Sequence, residues 1–179
     1  MIRADPIVPD AESANELKAY LRLDGTAEDA VILRLIAAAI AHGEAFTGRI
    51  FLARGITETV AVARDWRRLA ATPVSAITAV TGLGPLGQAV ALPPGAYAVD
   101  IDAAGDGWVR AMLPGAATRL SVGYQAGLAA GWSALPEALR QGTVRLATHL
   151  FTNRDSAEEG PPPAAVAALW RPWRRTRLQ

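Results

Sequence analysis

The stretch GLGPLG, from Gly82 to Gly87, has the spacing of a glycine-rich loop that binds the pyrophosphate of a dinucleotide. Asp102 follows at about the distance expected of an acid that binds the ribose hydroxyls. That chemistry needs a helix to begin directly after the glycines, because its free N–H groups hold the phosphates. Pro85 lies within the stretch and QAVALPPGAY follows it, so the sequence predicts a tight turn between two strands instead.

A second candidate for chemistry is a calcium loop that would begin at Asp100. Asp100 and Asp102 would supply the first two oxygen ligands. Position five of the loop is Ala104, and position twelve, which should supply a bidentate carboxylate, is Ala111. We therefore predict a solvated hairpin loop here and no bound cation.

The sequence shows none of the residue spacings that are typical of a hydrolase active site or a metal centre. His42 and His149 are the two histidines, each in a predicted helix with no histidine or carboxylate four residues further on. Cysteine is absent, and no G-x-S-x-G motif or paired carboxylates occur. The sequence predicts no catalytic residue, no metal site and no cofactor, and the expected class is not an enzyme.

Cationic and aromatic residues are concentrated near the end of the sequence. Leu169–Gln179 reads LWRPWRRTRLQ, with four arginines, two tryptophans and no acidic residue. The whole chain has a formal charge of +1, so its other residues are net acidic and the basicity is local. The proline run GPPP at 160–163 favours an extended chain, which would hold residues 170–179 as an arm. Nucleic acid, a membrane surface and a groove on a second protein are the candidate partners.

A second basic and aromatic cluster follows the first predicted strand. Its members are Arg64, Trp66, Arg67 and Arg68. One interpretation is a loop at the end of a strand, whose tryptophan covers sheet surface. The other is a contact with a neighbouring subunit or a tail-side protein, because Trp and Arg are favoured anchors of interfaces. The sequence leaves both open.

No membrane partner is expected. The longest apolar stretch, AVILRLIAAAIAHG from Ala30, is interrupted by Arg34, and its length and helical period predict a core helix. The helix AAVAALW is too short and too rich in alanine for a membrane-surface anchor.

Three regions of different periodicity position these residues. Ser13 and Glu16 predict the capping box of a first helix. Apolar residues of a second helix then share one face: Ile32, Leu35, Ile36, Ala39, Ile40 and Phe46. From Ile56 onward, five or six short segments rich in β-branched and aromatic residues predict antiparallel strands. From Ala134 the helical period returns.

The predicted fold class is therefore α+β. Residues 1–54 and 133–169 would form a discontinuous α-helical bundle, and 55–132 would form an inserted small antiparallel β-sheet or barrel. Residues 170–179 would form an extended C-terminal docking arm that folding of the subunit does not need.

Four segments, in this order, resemble the signatures of the phage head–tail connector (adaptor) family. In ELKAYLRLDGTAEDAVILRLIAAAIAHGEAFTGR the matching positions are Lys18, Leu21-Arg22, Asp24, Glu28-Asp29, Ile36, Ala39, Glu44 and Thr47-Gly48-Arg49. TPVSAITAV with YAVD matches next, and then LSVGYQAGLAAGWSALPEALRQGTVRLATHLFTNRD, with His149 and Arg154 in place. VAALWRPWRRTRL resembles the closing signature, in which Trp173 takes the aromatic position and Trp170 is an additional tryptophan.

The resemblance implies a structural virion protein of a phage, a prophage or a gene transfer agent. Members of the family form a homo-oligomeric ring, commonly of twelve subunits, that joins the portal to the next connector (stopper) or the tail. DNA would meet such a ring only in transit, and the protein would reach the head–tail interface after assembly in the bacterial cytoplasm. C-terminal segments of the family dock on the portal. The portal-binding residues implied here are Trp170, Arg171, Pro172, Trp173, Arg174, Arg175, Arg177 and Leu178.

One alternative remains open at this point. A nucleic-acid-binding module would use the same tail, with arginines on phosphates and tryptophans free to stack on bases. Its binding would depend steeply on salt.

Overall fold

A computed structural model describes residues 1–153 and 161–175 of the chain. The chain divides into two compact units. The β unit consists of Met1–Pro6 and Ala53–Gly127, and the helical unit consists of Ile7–Leu52 and the described part of Leu128–Gln179. The first six residues thus belong with the strands, whereas the sequence had grouped them with the helices.

The helical unit contains four α-helices in its described residues. They are α1 (Ala11–Leu21), α2 (Asp29–Thr47), α3 (Glu137–Thr152) and α4 (Ala164–Trp170), with 3-10 turns at Trp132–Ala134 and Arg171–Trp173. The apolar face predicted for α2 is confirmed, because Ile32, Ile36 and Ile40 are buried in the core that α1, α3 and α4 also line. The predicted extended arm is corrected at its start: α4 ends at Trp170 and the 3-10 turn follows directly.

The start of α1 differs from the capping box that the sequence suggests. Asp10 is the N-cap, and its carboxylate accepts a hydrogen bond from the N–H of Ser13 at 2.9 Å. The Ser13 hydroxyl donates to the Asp10 carbonyl at 2.6 Å and so caps nothing. Glu16 accepts a hydrogen bond from Nε1 of Trp132 at 2.7 Å, which ties α1 to the turn before α3.

By length and composition, α2 could cross a membrane, although the apolar stretch within it was predicted to be a core helix. It is the one helix among the described residues of which this is true. Its buried side chains, however, fill the core of the helical unit. A core helix of a globular unit meets the same criteria, so the length of α2 gives no argument for a membrane.

The β unit contains eight described strands in two antiparallel sheets. In chain order they are β1 (Ile2–Ala4), β2 (Arg54–Ala61), β3 (Arg67–Arg68), β4 (Val74–Leu83), β5 (Ala89–Val90), β6 (Tyr97–Ile101), β7 (Gly107–Ala111) and β8 (Arg119–Ala126). The five-stranded sheet, a half-barrel, has the order β1-β2-β8-β4-β5, and the three-stranded sheet has the order β3-β7-β6. The α+β class is therefore confirmed. The sequence missed β1 because three residues are too few to show an alternating pattern.

A buried polar pair lies inside the β unit. The Tyr124 hydroxyl donates to Oε2 of Glu58 at 2.8 Å, and the same oxygen accepts from the N–H of Ala70 at 2.8 Å. The hydroxyl also accepts from the N–H of Ala71 at 3.2 Å. Burial, and then the hydrogen bond to Glu58 and its charge, raise the pKa of Tyr124 well above the ordinary 10.0. The pair thus ties β2 and β8 to the segment after β3.

This pair predicts a specific alkaline instability. In the folded protein Tyr124 keeps its proton above pH 10, whereas the unfolded chain loses it, so the free energy of unfolding falls as the pH rises past 10. One such proton contributes a slope of about 1.4 kcal/mol per pH unit. We expect Tyr124→Phe to be less stable at pH 7 by about 1 kcal/mol and to fall less steeply above pH 10. Urea denaturation between pH 7 and 12 measures both effects. Tyr20→Phe, at an exposed position, should keep the wild-type slope, and an unchanged slope in Tyr124→Phe would contradict the prediction.

A candidate docking surface at the C-terminal segment

The short helix α4 fixes the direction of the C-terminal segment. Pro163 precedes it with φ −46° and ψ 143°, a conformation that proline adopts without strain. Val166 and Trp170 lie four residues apart, so they share one face of the helix, and both are buried. The spacing therefore directs Trp170 into the core of the helical unit.

Trp170 is fully enclosed by the helices around it. Its indole Nε1 donates to the carbonyl of Leu139 in α3 at 3.3 Å, and its exposed fraction is 0%. The ring meets Phe51 edge-on at 6.2 Å between centroids and is tilted against Phe46 at 6.0 Å. The prediction of Trp170 as a portal-binding residue is corrected here, because a side chain without accessible surface contacts no partner while α4 stays in place.

Two glycines make the space that the indole occupies. Gly142, in the middle of α3, has no side chain, and a Cβ there would lie 2.7 Å from Cε2 of Trp170. A Cβ at Gly43 in α2 would lie 2.7 Å from Cζ of Phe51, the ring beside the indole, and 3.1 Å from Cζ2 of Trp170 itself. Glycine lowers helix stability, so its presence inside two helices is explained by this close approach.

The close packing of Trp170 against Gly142 should reverse the usual effect on stability of replacing a helical glycine with alanine. An interior helical Gly→Ala usually stabilises, but Gly142→Ala should destabilise the protein by about 1–3 kcal/mol, because the added methyl group displaces Trp170. Gly131→Ala is the matched control, since a Cβ there meets nothing within 4 Å and its φ of −159° suits alanine. Thermal unfolding of the two variants measures the difference. A Gly142→Ala variant as stable as Gly131→Ala would contradict the proposed packing.

The segment after α4 is held against the end of α2. Nε of Arg49 donates to the carbonyl of Trp173 at 3.1 Å, and the N–H of Arg175 donates to the carbonyl of Thr47 at 2.8 Å. Gly48 ends α2 with a φ of 70°, which turns the chain so that Arg49 faces this segment. Arg49 was not among the predicted site residues, although the sequence shows a glycine at the end of a helix and an arginine directly after it.

The predicted portal-binding residues therefore separate into three groups. Trp170 is buried, Trp173 and Arg175 are half-buried, and Arg171, Pro172 and Arg174 are exposed. We call the exposed three the C-terminal surface. Arg177 and Leu178 lie outside the described residues.

The chemistry of the C-terminal surface is that of two guanidinium groups at either end of a rigid turn. The Arg174 guanidinium lies 5.2 Å from the ring centroid of Phe46, a cation–π distance. Pro172 fixes the backbone between Arg171 and Arg174, so less freedom is lost when a partner binds. Guanidinium groups arranged in this way suit carboxylates or phosphates of a partner, which they can bind bidentately.

The second cluster, at Arg64, Trp66, Arg67 and Arg68, is exposed in the β unit. Trp66 keeps 40% of its surface accessible, and the guanidinium of Arg110 lies 4.6 Å from the centroid of its ring. Nη1 of Arg68 lies 3.6 Å from Oδ2 of Asp106. Both interpretations of the sequence are compatible with this arrangement, because the tryptophan covers neighbouring structure and still presents a face.

Strand pairing enlarges this cluster beyond what the sequence indicated. Arg68 of β3 lies directly opposite Trp108 of β7, so the two share one face of the sheet, and Arg110 follows Trp108 on that face. Arg110 could not be predicted from the sequence, because its place in this cluster depends on the register of strands about forty residues apart. The indole Nε1 of Trp108 donates to Asp102 at 2.9 Å.

The remaining sequence candidates have structural roles. GLGPLG ends β4 and forms the predicted turn to β5, in which the N–H of Gly84 donates to the carbonyl of Gln88 at 2.9 Å. Asp102 stabilises the β6–β7 loop, because its Oδ1 accepts from the N–H groups of Ala104 and Asp106, both at 2.9 Å. His42 and His149 are exposed on their helices. Within residues 1–153 and 161–175, no cluster of side chains is suited to hold a metal ion.

Known structures match the chain along its whole length. A chain from the "Neck of empty GTA particle computed with C6 symmetry" aligns with 100% of this chain and 97% of its own, with a TM-score of 0.77 and 28% identity. A chain from the "Virion of native gene transfer agent (GTA) particle" gives the same coverages, a TM-score of 0.75 and 29% identity. A chain from the "Neck of native GTA particle computed with C12 symmetry" has a TM-score of 0.77 and 29% identity at the same coverages. No protein-family model matches the chain, and no curated protein sequence does.

The fold of this chain is thus similar to that of virion neck chains. The matches agree with the resemblance found in the sequence, because the chain is similar to neck chains of gene transfer agent particles. The solved neck assemblies have cyclic symmetry of six or twelve.

Proposed function

We propose that this protein is a structural neck component of a gene transfer agent or a related tailed particle, in which it forms a ring between capsid and tail. The observation that carries the proposal is the match of the complete chain to neck chains of such particles, at a TM-score of 0.77. Because all of both units is matched, the likeness concerns the whole subunit and not one common motif.

Within the neck, we assign the chain the role of the adaptor on the portal side. A ring of twelve copies, in agreement with the C12 symmetry of one matched neck, would leave a channel through which DNA passes. A cyclic ring needs two different lateral faces on each subunit, because each copy meets its neighbours through non-identical surfaces. No catalytic step is needed for this role, and the matched structures are of virion neck chains.

The C-terminal surface is the proposed contact with the portal. Arg171 and Arg174 present charge that carboxylates of a portal protein would pair with, and each such contact is repeated in every copy of the ring. The buried Trp170 changes the mechanism suggested by the sequence. It anchors the base of the segment to the subunit, so the arginines extend from a fixed point and not from a free arm.

The exposed cluster around Trp66, in the β unit, is the proposed contact with a second partner. Trp66, Arg67 and Arg110 offer aromatic and cationic anchors for a neighbouring subunit, a stopper or a tail-side protein.

The nucleic-acid-binding alternative is weakened, because one of its two tryptophans is enclosed. Trp170 has no accessible surface on which a base could stack, and Trp173 is half-buried.

Localisation of the protein in purified particles tests the proposed function. Leu86 lies at the tip of the β4–β5 turn with 94% of its surface exposed, so an epitope inserted beside it should leave the fold intact. Gold-labelled antibody should mark the junction of head and tail in electron micrographs. Labelling of the capsid shell or the distal tail, or particles without the protein, would overturn the proposal.

A further inference from the structure

The outer edge of β4 is hydrogen-bonded to another strand at one end only, although β6 of the other sheet comes close to β4 without pairing with it. One side of β4 pairs with β8 from Val74 to Leu83. On the other side, β5 pairs with Gly82 and Leu83 alone, and it is the only strand found there among the described residues. The main chain from Ser75 to Thr81 therefore has no strand partner on its outer side within the part of the chain that the structure describes.

The side chains along this edge would admit another strand. The sequence of β4, VSAITAVTGL, has no charged residue and no proline. Five small side chains are exposed along it: Ser75, Ala76, Thr78, Ala79 and Thr81. Edge strands of soluble proteins are usually protected by charges, proline or covering structure. The two irregularities in the pairing with β8, between Val74 and Ala76 and between Ile77 and Ala79, twist the strand but add no charge to the edge.

The opposite edge of the same sheet is different. The strand β1 has three residues, Ile2–Ala4, and one of them is Arg3. A short edge that carries a charge is the ordinary protected kind. Of the two edges of the five-stranded sheet, the β4 edge is therefore the one that is long and uncharged.

We propose that in the ring this edge of β4 is covered by the neighbouring copy of the chain, whose main chain hydrogen-bonds to residues 75–81. The inference rests on the proposed ring. A second copy is the occupant that the observations favour, because an uncharged edge offers nothing to a nucleic acid or a strongly acidic protein. The cyclic symmetry of the matched necks also gives every subunit a neighbour in a fixed position. Pairing of β4 with β4 would close a dimer and end growth, so the neighbour presents another of its surfaces.

Site-specific photo-crosslinking tests this contact in assembled particles. A benzophenone amino acid replaces Thr78, whose side chain is exposed, and circular dichroism confirms that the variant folds. Irradiation of particles should give an adduct of two copies, with twice the 18.8 kDa mass of the chain. Leu86 is the control position, because it is 94% exposed, belongs to the same unit and lies outside the open edge. A copy–copy adduct at least tenfold more abundant from Thr78 than from Leu86 is the expected result.

The outcomes separate this inference from the proposed function. If the label marks the neck but Thr78 forms an adduct with a different virion protein, no adduct, or no more copy–copy adduct than Leu86 does, the inference is wrong and the neck role stands. If the label is absent from the neck, the proposed function itself fails.

A charge placed on the edge gives a second readout of the same contact. Thr81→Lys should lower incorporation of the protein into particles at least tenfold, because a lysine on an edge strand opposes the approach of another strand. Leu86→Lys adds the same charge nearby and should be incorporated normally. Equal incorporation of the two folded variants would overturn the inference.

Discussion

Trp170→Ala should destabilise the protein by about 3–5 kcal/mol, the largest effect that we expect from any single substitution. The change removes the most voluminous of the fully buried side chains, together with its hydrogen bond to Leu139 and its contacts with Phe46 and Phe51. The cavity would lie between helices that contain Gly43 and Gly142, and these residues have no side chains with which to fill it. Urea denaturation followed by far-ultraviolet circular dichroism measures the loss.

Trp66→Ala is the matched control for this substitution. It deletes the same side chain from an exposed position, where the contact with Arg110 is worth about 0.5–1 kcal/mol. If Trp170→Ala lowers the free energy of unfolding by less than 1 kcal/mol, the indole is not packed in the core as described. The same reasoning corrects the expectation that residues 170–179 can be deleted from a folded subunit, because such a deletion removes a core side chain.

The double variant Arg171→Glu with Arg174→Glu should fold normally and yield at least tenfold fewer tailed particles than the wild type. Both side chains are exposed, so the change leaves the core intact. Each charge-assisted hydrogen bond to a partner contributes about 1.5–3 kcal/mol, and reversal of the charge also introduces repulsion at every copy of the ring. Counts of tailed and tailless particles in electron micrographs give the yield.

Two further exposed arginines provide the control for this reversal of charge. Arg34 in α2 and Arg145 in α3 belong to the same unit and lie away from the C-terminal segment in sequence. Arg34→Glu with Arg145→Glu changes the net charge by the same amount and should preserve tail joining. Normal joining in the Arg171 and Arg174 variant would exclude these residues as the portal contact.

Measurement of DNA binding by the wild type and these variants tests the nucleic-acid-binding alternative. If the tail binds phosphates, the wild-type protein should retain duplex DNA at moderate salt, and the Arg171 and Arg174 variant should lose that binding with a shallower dependence on salt. We expect no such retention by the wild type, because a neck channel that holds DNA tightly would oppose its passage.

The elements that periodicity could predict were those whose partners lie nearby in sequence. The apolar face of α2 and the turn in GLGPLG follow from residues within a few positions of one another, and both are present in the structure. The start of α1 was misplaced by one turn because Asp10 and Ser13 are both good capping residues and the sequence does not decide between them.

Trp170 shows most clearly where local reasoning failed. Its neighbours Arg171 and Pro172 suggested an exposed arm, and the proline run before α4 suggested distance from the body. The burial depends on α3, because Gly142 leaves the space and Leu139 supplies the acceptor, thirty residues earlier in the chain. Two features of the sequence nevertheless indicated that Trp170 is buried. It lies four residues after Val166, and Gly142 is a glycine inside a predicted helix with no local explanation. The register that adds Arg110 to the Trp66 cluster had no local signal.

The most direct test of the neck role is electron microscopy of particles from a strain that lacks the gene for this protein. If the protein joins head to tail, the strain should produce capsids and separate tails but no tailed particles, and the wild-type gene supplied in trans should restore them. The Trp170→Ala gene should restore few of them, because little of that variant would be folded. Tailed particles in normal number without the protein would contradict the proposed function.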